Sequence, residues 1–353
     1  MYVALIALIA TCFSTSNAAI QDPFLVNAQK QFCVSLLPRG RHRRVHYVEH
    51  WIYAVQTASQ STKRRQLLLT RGGAMTARLS AVEFIRRMRG GSQSKLMRCS
   101  DDEYYVVKFQ DNPQGTRILA NELLATLLAR RMGLPVPEPA IVDVCPELIR
   151  HTDELVMQFR DGYRPCRPGL CFGSRLVSTQ NVVDFLPDDL LRNLRNLYDF
   201  VGTLVFDKWV GNDDHRQVVF ARESDKENRS PYRVYRAAMI DNGHCFGGPR
   251  WDVSAAPRQG LYIQPLPYLN IQGFSEIEPW LERLDREMRP SVLEEAASEI
   301  PAEWYDGDRQ SLAALLATLD DRRRTIRHLL LDMRRSAPDF FPSWAYQARS
   351  AAS

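Results

Sequence analysis

The stretch Phe206-Asp207-Lys208-Trp209-Val210-Gly211-Asn212-Asp213-Asp214-His215-Arg216-Gln217, followed by Val218-Val219-Phe220, decides how this chain is read. It gathers acids, amides and bases between two apolar segments. A second acidic turn follows, Met239-Ile240-Asp241-Asn242-Gly243-His244. A carboxylate loop, a strand and then an Asp at the next strand end present a base and metal ligands to a nucleotide. Taken alone, Asp213-Asp214 reads equally as a polar turn capping a strand. Asp207 reads equally as a buried helix-end acid that braces the loop through hydrogen bonds. The order of the surrounding pieces gives the stretch its meaning.

The 353 residues allow one large or two ordinary domains. Hydrophobic content of 45% with 25% charged residues belongs to a globular protein with a core. A formal charge of +5 suits an anionic ligand and does not demand nucleic acid. The seven cysteines are irregularly spaced with no CxxC pair, which argues against zinc. Their odd number fits reduced cytoplasmic thiols better than a disulfide frame.

The first 74 residues have a different texture. An apolar run over 2–10, then small residues at Ser16 and Ala18, is signal-like over 1–18 but too short to span a bilayer. No Lys or Arg precedes it. Basic clusters follow at 39–44 and 63–65. The expectation is a poorly ordered leader or extension over 1–74, with Met75 as the functional start. The alternative is an exported protein with a true signal peptide.

From Met75 onward the pattern is regular. Ser80 can cap a helix over 81–89, with Val82, Phe84, Ile85 and Met88 near one face. Gly90, Gly91, Ser92 and Ser94 then form a flexible loop. Its amides can face phosphate oxygens, or it is a plain hairpin turn. It is not a Walker A box. Strands are expected over 94–98 and 104–109. Lys108 in the second either pairs with phosphates or sits on an edge or solvent face. The clearest helix covers 118–132 and closes at Gly133. Its Glu122 either pairs with Lys108 or is a solvated first-turn acid. A strand over 140–144, a loop with a short helix over 145–168, and a strand over 170–176 follow. Helices are expected over 188–196 and 197–206.

The order is then a Gly/Ser loop, a strand Lys, a helix Glu, a strand at a lobe boundary, Asp-Lys-Trp-Val-Gly-Asn-Asp-Asp-His-Arg-Gln and Ile-Asp-Asn-Gly. It resembles the HipA-like kinase family and, more distantly, the phosphatidylinositol kinases. The resemblance implies an α+β, bilobal protein-kinase-like fold with a small β-rich N-lobe over 75–176 and a mainly helical C-lobe over 177–336. It implies ATP with Mg2+ and phosphoryl transfer to a protein hydroxyl. Carried over, Gly90, Gly91, Ser92, Ser94, Lys108, Glu122 and Phe172 would bind the nucleotide. Asp214 would position the attacking hydroxyl, with Lys108 and Arg216 in the catalytic set. Asp241, with Gln217 and Asn212, would hold metal. His215 and Arg216 can face the phosphates or clamp the loop carboxylates.

One departure stands out. Where the family has an Asn five residues after the catalytic Asp, this chain has Val219. Gln217 or Asn212 would have to supply the amide. An ATP-binding pseudokinase is therefore the alternative. Nothing in the residues indicates nucleic-acid binding or a basic amphipathic membrane patch. Helices are expected over 279–288, 292–299 and 312–331, and a loose tail over 337–353.

Overall fold

The computed structural model describes residues 76–178, 181–223, 234–253 and 260–344. The signal-like segment and the leader expected over 1–74 lie outside the described residues. The described residues belong to one compact unit, Arg65–Ser353.

Five strands close into a barrel in the order β1 (Ala77–Arg87), β2 (Lys95–Cys99), β3 (Tyr104–Lys108), β7 (Gly169–Arg175) and β4 (Pro139–Val144). The seam between β1 and β4 is parallel and the other pairings are antiparallel. Closure leaves no strand of this sheet unpaired. Met97, Val107, Phe109, Val142 and Cys171 form its core.

The helix expected over 81–89 is instead part of β1. The register against β2 slips between Ala81 and Glu83 and again between Phe84 and Arg86. Each bulge inserts a residue and breaks the period-two alternation. Val82, Phe84 and Ile85 thus acquire a helical spacing while their backbone is extended, and Met88 follows the end of the strand. Val82 and Ile85 are β-branched and exposed, which suits a strand surface better than a helix face.

Between β3 and β4 runs α1 (Arg117–Arg131), close to the helix read from sequence. It buries Leu119, Leu123, Leu124 and Leu128, and also Asn121, Glu122 and Thr126. Gly133, with φ of 75°, turns the chain out of it. After β4 come α2 (Pro146–Arg150) and a hairpin absent from the sequence reading, β5 (Val156–Phe159) with β6 (Gly162–Pro165).

In the second half, β8 (Val182–Val183), β9 (Gln217–Arg222) and β10 (Tyr235–Ile240) make a three-stranded antiparallel sheet with β9 in the middle. The helix expected over 188–196 contracts to α3 (Asp188–Leu191). The next one, α4 (Asp199–Val210), runs four residues past its expected end and stops at Gly211, whose φ of 63° is left-handed. Phe206 to Val210 of the deciding stretch are thus its last turn rather than loop.

Three further helices follow, α5 (Glu278–Glu287), α6 (Pro290–Ser298) and α7 (Arg309–Ser336). α7 packs Leu312, Leu315, Leu319, Ile326, Leu330 and Met333 inward. Arg322 from α7 donates to the carbonyls of Trp209 at 2.7 Å and Lys208 at 2.6 Å, where the exposed carbonyls of α4 end. The expected loose tail is corrected over its described part. Ala337, Phe341 and Trp344 are buried. Phe341 stacks 5.7 Å from Tyr268, and Trp344 5.4 Å from Phe274. These apolar side chains have more to gain from burial than a polar tail would.

Candidate active site

The site grows from one lysine at the end of β3. A barrel strand with partners on both sides turns alternate residues inward. Lys108 points toward α1 and is only 7% exposed. Its Nζ donates to Glu122 Oε1 and, at 2.8 Å, to Asp241 Oδ1. Asp241 follows directly on β10. Burial alone would lower the lysine's pKa. The Glu122 and Asp241 carboxylates outweigh it and raise the value. Burial likewise pushes Asp241 upward, but the neighbouring ammonium wins and holds its carboxyl below the usual range. Burial raises the Glu122 carboxyl against the pull of the ammonium, so of the two acids Asp241 holds its charge more firmly. The Asp241 side chain is 27% exposed and that of Glu122 3%, so the carboxylate that reaches solvent is Asp241's.

A second ion pair fixes the loop. Asp207, on the last turn of α4, is fully buried and binds Arg216 through both oxygens, Nε to Oδ2 at 2.8 Å and Nη2 to Oδ1. The fork geometry uses guanidinium and carboxylate fully. Arg216 also donates to Ile240 O at 3.0 Å and Asn242 Oδ1 at 2.9 Å. Asn212 Nδ2 donates to Asp207 Oδ1 at 3.1 Å. One buried acid thus joins α4, the loop and the Asp241 turn. Gly260 is close-packed against it, since a Cβ there would lie 2.4 Å from Asp207 Cβ.

Above this brace the loop presents two acids. Asp214 Oδ1 accepts from His215 N at 2.8 Å, and Oδ2 from Gln217 Nε2 at 3.2 Å. Asp213 N donates to His244 O at 3.0 Å, which docks the loop on the Asp241 turn. Burial raises the Asp213 carboxyl, and the nearby His244 opposes it. Gln217 opens β9 directly across from Ile240, so its amide lies one residue from Asp241 in the ladder.

The Asp241 turn is shaped by α1. Asp241 has a left-handed φ of 59°. Glu122 Oε2 accepts Asn242 N at 3.0 Å. Asn121 Nδ2 lies within bonding distance of the carbonyls of Gly243 (2.8 Å), Cys245 (3.1 Å) and Gly248 (3.1 Å). Its oxygen accepts Trp251 Nε1 at 2.6 Å. A Cβ at Gly243 would meet Ile118 at 2.7 Å, so the turn requires glycine for close approach.

A model of the HipA-like kinase family matches residues 81–223, from β1 through β9. The resemblance to HipA-like kinases holds. The matched span contains Lys108, Glu122 and the Asp207–Gln217 loop, and it ends before Asp241. Among solved structures the chain is similar to the Helicobacter pylori proinflammatory kinase CtkA, at 15% identity over 74% of this chain and 98% of that one, with a TM-score of 0.45. It is also similar to the Golgi casein kinase with Mn/ADP bound, at 12% identity over 77% of this chain and 76% of that one, with a TM-score of 0.40. No curated protein sequence matches it.

Of the site residues named from sequence, the structure brings Lys108, Glu122 and Asp241 into direct contact and sets Asp214 against Gln217. Arg216 and Asn212 are nearly fully buried around Asp207, with Arg216 clamping that carboxylate. Gly90, Gly91, Ser92 and Ser94 make the tight turn joining β1 to β2, where Gln93 N bonds Gly90 O at 3.2 Å. Phe172 lies on β7 opposite Lys108 and buries its ring in the core. Val219 faces Ala238 within the β9–β10 ladder, away from the loop. The sequence reading missed Asn121 and the partner role of Asn242. The Asn-Glu pair at 121–122, in a helix otherwise apolar on that face, was the available signal.

Among the described residues no group of three or more His, Cys, Asp or Glu side chains could cage a metal ion. The partly exposed Asp241 carboxylate is a donor of the kind Mg2+ takes, one or two carboxylates completed by phosphate oxygens and water. No helix among the described residues is long and apolar enough to cross a membrane.

Proposed function

We propose that this protein is a bilobal, ATP- and Mg2+-dependent kinase that transfers the γ-phosphate to a Ser or Thr hydroxyl of another protein. The contact of Lys108 with Glu122 and Asp241 carries this reading. It joins a barrel strand, a helix and a sheet end in the order that phosphoryl transfer uses. The barrel part, 75–176, serves as the small lobe, and 177–336 as the large one.

In this reading the chain's own groups position charge. Glu122 holds Lys108 where it can meet phosphate oxygens. Gly90, Gly91, Ser92 and Ser94 offer amides and hydroxyls, and the β7 backbone near Phe172 borders the base. Asp214 orients the acceptor hydroxyl, kept in place by His215 N and the Gln217 amide. Arg216 acts as a positioning residue through Asp207. Asp241, with the Gln217 amide nearby, would hold Mg2+, which neutralises phosphate charge when bound; Asn212, 1% exposed and bonded at both ends of its amide to Asp207 Oδ1 and Asp214 N, braces the loop instead. Buried free thiols at Cys99, Cys166, Cys171 and Cys245 support a reducing, cytoplasmic setting.

The test is transfer of radiolabelled γ-phosphate by the purified protein beside Asp241→Asn. The expected result is label in the unaltered protein and a loss of about 100-fold or more in the variant. The position of Val219 inside the ladder favours a second reading, an ATP-binding pseudokinase. It would give no transfer while ATP still raises the melting temperature. Neither transfer nor ATP binding would refute both.

A further inference from the structure

The β1–β2 turn and the β5–β6 hairpin lie side by side and are joined by side chains. Arg87 Nε donates to Glu154 O at 3.2 Å, and Lys95 Nζ to Val156 O at 3.0 Å. Gln93 bonds both backbone groups of Gln158, Nε2 to its carbonyl at 2.7 Å and Oε1 from its N–H at 2.8 Å. The amide of Gln93 thus stands in for a neighbouring strand. The outer edge of β5 is used up.

The outer edge of β6 is not. It pairs on one side only, and all four of its residues are exposed. Gln158 turns its N–H and C=O away from β6, so its cross-strand partner Tyr163 turns its own away from β5. By the same alternation Pro165, opposite Val156, presents its carbonyl outward and has no N–H to lose. This edge offers one donor and two acceptors to an extended main chain.

The charge around it is one-sided. Residues 76–353 hold 37 basic and 39 acidic side chains, yet 86–95 and 156–168 together hold seven basic and one acidic. Arg86, Arg87, Arg89, Arg160, Arg164 and Arg167 are exposed there. The single acid within these two segments, Asp161, is paired with Arg164; nearby, Asp111 accepts Arg167 N at 2.9 Å, and the exposed Asp153 and Glu154 lie just before β5. Tyr163, 61% exposed, adds an apolar contact. Phe159 and Arg160 line an open cleft of about 640 Å3 with Gly91 and Gln93 of the phosphate-facing turn.

We propose that this ledge docks an extended acidic segment of the protein substrate, adding it as a strand to β6 with its carboxylates on the arginines. The inference rests on the kinase reading and names its substrate class. A free strand edge selects polypeptide, since nucleic acid has no main chain to pair with it. The arginines select carboxylates.

The test is fluorescence anisotropy with the full-length protein and no ATP. The probes are a labelled ten-residue peptide alternating Glu and Val, its Lys/Val counterpart, an N-methylated Glu/Val peptide and a ten-nucleotide single-stranded RNA. The Glu/Val peptide should bind and the Lys/Val peptide should not. Backbone N-methylation should weaken binding by about tenfold or more. The double variant Arg160→Glu/Arg164→Glu should do the same at an unchanged melting temperature. The N-methylated peptide keeps the question answerable if that variant unfolds. No binding, binding indifferent to charge or methylation, or RNA bound as tightly as peptide would overturn the proposal. Since no nucleotide is present, a failure here leaves the transfer assay untouched, and a failed transfer assay leaves this result readable.

Discussion

Lys108 Nζ stands 2.8 Å from Asp241 Oδ1, across 133 residues of sequence, and shares its other side with Glu122. The ammonium is the hinge between the barrel and the sheet that carries Asp241. Glu122→Gln removes one of its two charge partners and leaves Lys108 buried beside one. Because Asp241 still compensates the ammonium, the loss is that of one buried charge-assisted hydrogen bond, roughly 1.5–3 kcal/mol. The melting temperature should fall clearly, and γ-phosphate transfer should drop about 100-fold because Lys108 loses its orientation. Unchanged transfer in a folded Glu122→Gln protein would remove the lysine from the chemistry.

Asp207 at the end of α4 and Asp214 in the loop should separate stability from chemistry. Asp207→Asn leaves the Arg216 guanidinium buried without its carboxylate, again at a cost of roughly 3–5 kcal/mol, and thermal unfolding should register it. Asp214→Asn touches only a half-buried turn. It should melt within a few degrees of the unaltered protein and lose transfer by two orders of magnitude or so. Asp213→Asn is the control. Transfer lost there and kept in Asp214→Asn would exchange their roles.

Lys208 gives a pH signature. Burial first, and then Arg322, bring its pKa down from 10.5 to about 8. In the unfolded chain it stays protonated up to the higher value. Between these two values the unfolded state holds more protons, so this lysine makes stability rise with pH across that window. Melting curves of the protein and of Lys208→Met, taken from about pH 7.5 to 9.5, should diverge. The difference between them isolates Lys208 from cysteines and tyrosines titrating nearby. Parallel curves would refute the assignment.

Phe341 is 1% exposed beyond the last long helix and stacks on Tyr268. Phe341→Ala should cost about 3–5 kcal/mol in denaturant unfolding, as expected of a core aromatic. A loss below about 1 kcal/mol would return this segment to the status of a tail.

Sequence legibility followed local regularity. α1, β3 and the long C-terminal helix announce themselves by periodicity and by glycine or capping signals. Lys108, Glu122 and Asp241 were readable because their order along the chain is informative even when their contacts are not. β1 was misread since two bulges disguise its alternation as a helical period. The β5–β6 hairpin was invisible because its exposed residues Tyr163, Arg164 and Pro165 carry no apolar pattern, and side chains from β1 and β2 hold it. The burial of Phe341 and Trp344 depends on Tyr268 and Phe274, some 70 residues earlier, which no local window contains. Arg216 was legible as a candidate clamp. Its partner was settled by α4 running on to Val210, which delivers Asp207 to it.

Asn121 and Glu122 are neighbours on α1, and together they fasten the chain from Asn242 to Gly248 at four points. The Asn121 amide has two hydrogens to share among its three carbonyls, so a swing of α1 that withdrew Glu122 from Lys108 would break three hydrogen bonds at once. At about 1 kcal/mol each, such an excursion would be open in fewer than about one molecule in a hundred. The position of α1 and the shape of the Asp241 turn are therefore coupled: neither can shift while the other stays in place.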